Sequence, residues 1–216
     1  EYVLLSAHYD HLGTRGDKVF NGANDNGSGT STVIALMKAF AKAKKEGNGP
    51  KRSIVALLMC GEEKGLLGSE YYTKLPAFPL DQTIVDVNVD MVGRTDKLHE
   101  SSDEYIYVIG ADKLSSELHD INESVNDKYV NMELDYRFND DKDPNRYYYR
   151  SDHYNFAKQG IPVIFYFNGV HEDYHKSTDT FDKINYDLMQ KSARLIFHTT
   201  WELANRPERI KVDSNK

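Results

Sequence analysis

One pattern constrains this chain more than any other: short apolar runs alternate with stretches of helical spacing, and most runs end on a residue able to do chemistry. The runs cover residues 3–7, 53–59, 83–89, 105–109 and 162–167. They are near-continuous in apolar and β-branched residues, as strands covered on both faces are. Helical spacing falls at residues 30–43, with Val33, Ile34, Met37, Phe40 and Ala41 on one face, and at 65–74 and 114–126. A closing helix at 187–204 carries Leu188, Leu195, Ile196 and Leu203. Such alternation predicts an α/β fold, a three-layer α/β/α sandwich around a mixed, largely parallel sheet.

The 216 residues suit one domain, 1–216, with a full core. No internal repeat or linker divides it. The chain opens inside a strand, so it reads as a catalytic domain excised from a longer chain. Residues 133–150, crowded with charge and tyrosine, read as an exposed loop, either a rim of the site or plain solvated surface. The polar tail from Arg206 reads as frayed. A net charge of −7 argues against a nucleic-acid partner. The single cysteine, Cys60, permits no disulfide within the chain and reads as a small buried hydrophobe. No apolar stretch approaches a transmembrane length.

The positions of the reactive residues carry the functional argument. Run 3–7 ends in His8-Tyr9-Asp10. Asn24-Asp25-Asn26-Gly27 precedes the first helix, and run 53–59 leads to Gly61-Glu62-Glu63. Run 83–89 ends in Asp90, and run 162–167 leads to Tyr174-His175. In open α/β sheets the site lies beyond the carboxyl ends of the strands, so parallel neighbours would bring all five places together. His8, Asp25, Glu63, Asp90 and His175 supply two imidazoles and three carboxylates. That donor set suits zinc, with manganese or cobalt as substitutes, and is about what two ions sharing one carboxylate require. Asp25, on a constrained turn, suits the bridge. Asp10 is placed to orient the His8 imidazole. Glu62 is placed as general base and acid, and Tyr174 as an oxyanion donor. Ser151-Asp152-His153 reads as a helix start with Ser151 as cap, a role compatible with substrate contact. Each feature alone is ordinary; their joint placement is not. His11, His99, His119, His171 and His198 lack such context and are assigned as non-ligands.

These stretches resemble the co-catalytic two-zinc aminopeptidases of metallopeptidase clan MH. The resemblance rests on Ser6-Ala7-His8-Tyr9-Asp10-His11, Gly22 to Gly29, Gly61 to Ser69, Asn88 to Gly93, Ser151-Asp152-His153 and Tyr174 to Thr180, which run in family order along nearly the whole chain. It implies a zinc-exopeptidase-like fold and two Zn2+ ions, one held by His8, Asp25 and Asp90, the other by Asp25, Glu63 and His175. It implies a cis peptide bond at Asp25–Asn26, Glu62 as base and Asp10 as partner of His8. Substrates would be peptides with a free N-terminus, and export is the expected localisation. The departures are at the front, where almost nothing precedes the first strand, and at residues 133–150, which match no family feature.

Relatives of this fold supply the rivals. Glutaminyl cyclases use one zinc and place a tryptophan before the last histidine ligand; here that position is Tyr174, and the only tryptophan is Trp201. A carboxypeptidase would want a placed arginine, a role open to Arg150 or Arg146. Arg150, Ser151 and Asp152 are the candidate substrate contacts. A non-catalytic, transferrin-receptor-like domain would lack ligands or the base, and none is missing. First-residue preference and oligomeric state are not legible.

Overall fold

The computed structural model describes residues 1–102 and 104–213. Its centre is β5 (Thr83–Val89), buried along its whole length. On one side it pairs in parallel with β1 (Tyr2–His8), which pairs in parallel with β4 (Ser53–Met59). On the other side β5 pairs in parallel with β8 (Val163–Phe167). Beyond β8 lie β6 (Tyr105–Ile109), antiparallel to it, and β7 (Glu133–Asp135), parallel to β6. Among the described residues the sheet order is therefore β4-β1-β5-β8-β6-β7, mixed and largely parallel as expected.

The side-chain alternation of a strand divides this sheet into two different faces. Val3, Leu5, Ala7, Val85, Val87, Val89, Ile164 and Tyr166 join the main core. That face is covered by α1 (Gly29–Lys45), α4 (Ser116–Tyr129) and α6 (Tyr186–Asn205). The opposite face carries Leu4, Val163 and Phe165 under α2 (Leu67–Lys74) and α5 (His153–Ala157). A short α3 (Ala111–Leu114) leads into α4. No helix among the described residues is long and apolar enough to cross a membrane.

Several sequence expectations are corrected. The run 53–59 is an edge strand with alternating exposure, not a buried one. Cys60, just after it, is exposed. In α1 the buried face is Thr32, Val33, Leu36 and Phe40, while Ile34 points to solvent. The phase is set at the helix start, where the Gly29 amide donates to Asn26 Oδ1 and the Val92 amide to Ser28 Oγ. A Cβ at Gly29 would stand 2.3 Å from the Val89 carbonyl oxygen, so this end of α1 lies directly on β5. An exposed hairpin, β2 (Gly13–Arg15) with β3 (Lys18–Phe20), went unread because strands of three exposed residues carry no burial pattern. Residues 133–150 are not a solvated loop: they hold β7, and Phe138 and Tyr147 pack on Tyr107 and Phe167. The tail is also tied down through residue 213. Ile210 is buried, and Glu117 receives both the Arg206 guanidinium and the Lys211 amide. Residues 214–216 lie outside the described residues.

Candidate metal centre

Because β1, β4, β5 and β8 are contiguous and parallel, their carboxyl ends open into one cleft. His8 and Asp90 end β1 and β5 on the α2/α5 face, in line with Ser6 and Asn88. These polar residues form a buried chain. The Ser6 hydroxyl donates to Asn88 Oδ1 (3.0 Å), Asn88 Nδ2 to Ser151 Oγ (2.8 Å), and the Ser151 hydroxyl to Asp90 Oδ2 (2.8 Å). Asp90 therefore presents Oδ1 to the cleft with its other oxygen fixed.

Asp25 stands between two groups of donors. Its Oδ1 lies 3.4 Å from His8 Nε2, which is also 3.4 Å from Asp90 Oδ1. Its Oδ2 lies 3.1 Å from His175 Nε2, which is 3.3 Å from Glu63 Oε2. The turn that holds Asp25 contains a cis peptide bond between Asp25 and Asn26. It is tied on every side. Asn24 Oδ1 accepts from the Gly93 amide, Asn26 Nδ2 donates to the Val89 carbonyl, and buried Asp179 accepts from the amides of Asn24 and Asp25. The loop that carries His175 thus also anchors the turn that carries Asp25.

Asp10 acts differently from the expectation. His8 Nδ1 donates to the Asp10 backbone carbonyl (3.1 Å), whereas the Asp10 carboxylate is 3.8 Å away. A carbonyl only accepts, so Nδ1 carries the proton and Nε2 keeps its lone pair toward Asp25 and Asp90. The Asp10 carboxylate instead receives the amides of Glu62 (3.2 Å) and Glu63 (3.4 Å), fixing the turn that aims both glutamates.

Arg150 and Tyr174 line the cleft with Tyr147, and an Arg150 Nη2 donates to the Tyr174 hydroxyl at 3.4 Å. Met91, Phe165, Phe167 and Val170 make an apolar wall opposite the acidic end, where Asp25, Glu62 and Asp90 stand. Ser151 and Asp152 do not line the cleft. Both are buried behind it; Ser151 is bonded to Asp90, and Asp152, rather than Ser151, occupies the cap position of α5 without a side-chain cap bond. Sequence reading missed His11, whose Nδ1 is 2.9 Å from Glu63 Oε1 and 3.9 Å from Asp25 Oδ2. It also missed Asp179. Their proximity to His8 and His175 was visible, but only the folded loops turn them inward.

The electrostatics are those of a centre built for cations. Burial, then the Asp90 charge, pushes Glu62 up to about 9. Burial opposes charge on Asp25, yet the His175 and His8 imidazoles beside it hold its carboxyl well below the usual carboxylate range. Among the described residues, buried His8 Nε2, Asp90 Oδ1 and His11 Nε2 have no hydrogen-bond partner. Lone pairs this close repel unless something positive lies between them, and an N/O donor set at 3.1–3.4 Å spacing fits divalent ions of the zinc type.

Comparison with known proteins agrees with this geometry. The model of peptidase family M28 matches residues 1–200. The chain belongs to peptidase family M28. A probable leucine aminopeptidase of Arthroderma otae is 27% identical over 210 residues, 94% of this chain and 54% of that protein. A vacuolar membrane protease of Pyricularia oryzae is 38% identical over 104 residues, 48% of this chain and 10% of that protein. The LapA aminopeptidase of Legionella pneumophila superposes with a TM-score of 0.77 at 25% identity, covering 96% of this chain and 52% of that one. The chain thus spans about half the length of the leucine aminopeptidases it matches, and its match to the vacuolar membrane protease covers about a tenth of that protein.

Proposed function

We propose that the chain is a zinc-dependent aminopeptidase domain with a two-ion centre. The observation that carries this is the division of Asp25: one oxygen faces His8 and Asp90, the other faces His175 and Glu63. His8, Asp25 and Asp90 would hold one ion, and Asp25, Glu63 and His175 the other, with His11 beside Glu63. Bound there, divalent ions would polarise the scissile carbonyl and acidify a water.

The chain's own residues do the rest. The acidic end of the cleft attracts the free α-amine of a peptide, and the Met91, Phe165, Phe167 and Val170 wall takes an apolar first side chain. Glu62 stands with its Oε2 3.9 Å from His8 Nε2, grouped with His8 and Asp90 and so beside the ion they would hold. It takes the proton of the attacking water and passes it to the leaving amine. Tyr174 and Arg150, held together at the rim, donate to the oxyanion as it forms. The leucine aminopeptidase relatives favour this reading over glutaminyl cyclisation.

The test is cleavage of leucyl-anilide by the zinc-loaded and the chelated chain, with a glutaminyl-peptide cyclisation assay beside it. Chelator-sensitive anilide cleavage, reduced roughly 10²–10⁴-fold in Glu62→Gln with metal content unchanged, is expected. Cyclisation without anilide cleavage would overturn the reading.

A further inference from the structure

A second group of donors lies outside the cleft, where β7 runs beside β6. His99 is 7% exposed and stacks on the Tyr105 ring at 3.6 Å. Its Nδ1 lies 3.1 Å from Asp96 Oδ1, while the Tyr107 hydroxyl donates to Asp96 Oδ2 at 2.6 Å. A carboxylate facing the ring accepts, so His99 Nδ1 carries the proton and Nε2 presents a lone pair. Among the described residues the side-chain hydrogen bonds of His99 all involve Nδ1. Nε2 points at two carboxylates, Asp135 Oδ2 at 3.6 Å and Glu133 Oε1 at 3.9 Å.

An acceptor lone pair facing two carboxylate oxygens is repelled unless a cation lies between them. The distances are too long for a hydrogen bond. They are close to the spacing of two donors on one tetrahedral ion, about 3.3–3.4 Å when each donor is ~2.0–2.1 Å from the metal. The same spacing, 3.4 Å from His8 Nε2 to Asp25 and Asp90, marks the cleft centre. A histidine oriented by a carboxylate on its far nitrogen is the arrangement that prepares an imidazole for a metal.

We propose that His99, Glu133 and Asp135 form a second, separate divalent-cation site of zinc type. Arg137 Nε donates to Asp135 Oδ2 at 2.6 Å, but this side chain is 45% exposed and the oxygen has a second lone pair, so both neighbours can be served. The site has a structural consequence. Asp96, which orients His99, lies against Gly169, where an added Cβ would meet its carboxyl at 2.6 Å. The Asp96 amide donates to the Tyr105 hydroxyl, which itself donates to the Asn168 carbonyl. Asp96 thus links the His99 group to Asn168, two residues before Val170 of the cleft wall.

The test is zinc titration of the chelator-stripped full chain, comparing wild type with His99→Gln and Glu133→Gln by calorimetry and by metal content after dialysis. Wild type is expected to bind one more equivalent of Zn2+ than His99→Gln, whatever the cleft holds. Glu133→Gln, an exposed change that leaves the packing intact, is expected to weaken that one equivalent at least tenfold. Equal stoichiometry in folded wild type and His99→Gln overturns the proposal. Should His99→Gln fail to fold, wild-type affinity at every equivalent in Glu133→Gln overturns it.

Discussion

The Asp10 carboxylate receives two backbone amides, so its worth lies in the shape of the Glu62–Glu63 turn rather than in the charge it lends to His8. Asparagine is nearly the same size but has one oxygen. In Asp10→Asn one amide keeps an acceptor and the other meets an NH2 group, donor against donor. The His8 contact, made by the Asp10 carbonyl, is untouched. The expected result is a loss of about 10–100-fold in activity or metal affinity, with metal lost first from the side that Glu63 serves. Metal content and kcat/KM measured on the same sample check this; a variant that instead loses metal from the His8 side would show that the carboxylate acts on the imidazole. At this scale residue types were legible and their aims were not. His8 and Asp90 announced themselves by standing at strand ends and Asp25 by its turn before the first helix, whereas which atom of Asp10 touches His8 depends on how the chain turns after β1.

The strands were the most legible elements. Residues 83–89 and 105–109 form strands at those very limits, because β-branched and aromatic runs bounded by polar residues leave little choice. What the runs concealed is the face on which their polar members lie. Asp86, Asn88 and Asp90 alternate with valines on β5 and all point beneath α2 and α5. Asn88 and Asp90 are bonded in the chain that leads to the cleft, but Asp86 is completely buried. Burial pushes its carboxyl up to about 8, and among the described residues neither of its oxygens has a hydrogen-bond partner. Folded Asp86 therefore keeps a proton that the unfolded chain releases near pH 4. Its contribution to stability is complete below that pH and is lost as the pH rises to about 8. Asp86→Asn removes the titration while keeping the shape. Urea unfolding of the zinc-loaded protein at pH 4.5 and 8.5 is expected to show the variant gaining on wild type at the higher pH. Parallel losses in the two proteins would mean that Asp86 is ionised in the fold.

Over the whole molecule, the cleft is assembled from segments far apart in sequence: residues 8–11, 24–26, 62–63, 90 and 175. The α/β alternation predicted that they would converge, since a parallel sheet delivers every strand end to one edge. It could not predict the ties between loops, such as Asp179 on the Asp25 turn, which join residues 154 and 155 apart in the chain. The assembly has a cost: Asp25, Glu62, Glu63 and Asp90 crowd one another, and buried donors face one another without partners. Ions bind only when these segments are together, so they should stabilise the fold as a whole by mass action. At a free zinc level of 100 times Kd the gain is ~2.7 kcal/mol per site. For a domain of this size, each kcal/mol moves Tm by about 2–4 °C. Zinc-loaded protein is therefore expected to melt roughly 5–10 °C above the chelated form for each ion bound in the cleft, about 10–20 °C for two. Asp25 serves both groups of donors, so Asp25→Asn should erase most of that difference. The chelated Asp25→Asn protein, which loses a carboxylate that the neighbouring imidazoles hold ionised, should melt below chelated wild type, so the comparison is of the zinc-dependent shift within each protein. A zinc-dependent shift of full size in Asp25→Asn would place the stabilising ion elsewhere in the molecule, with the His99 group as the first place to look.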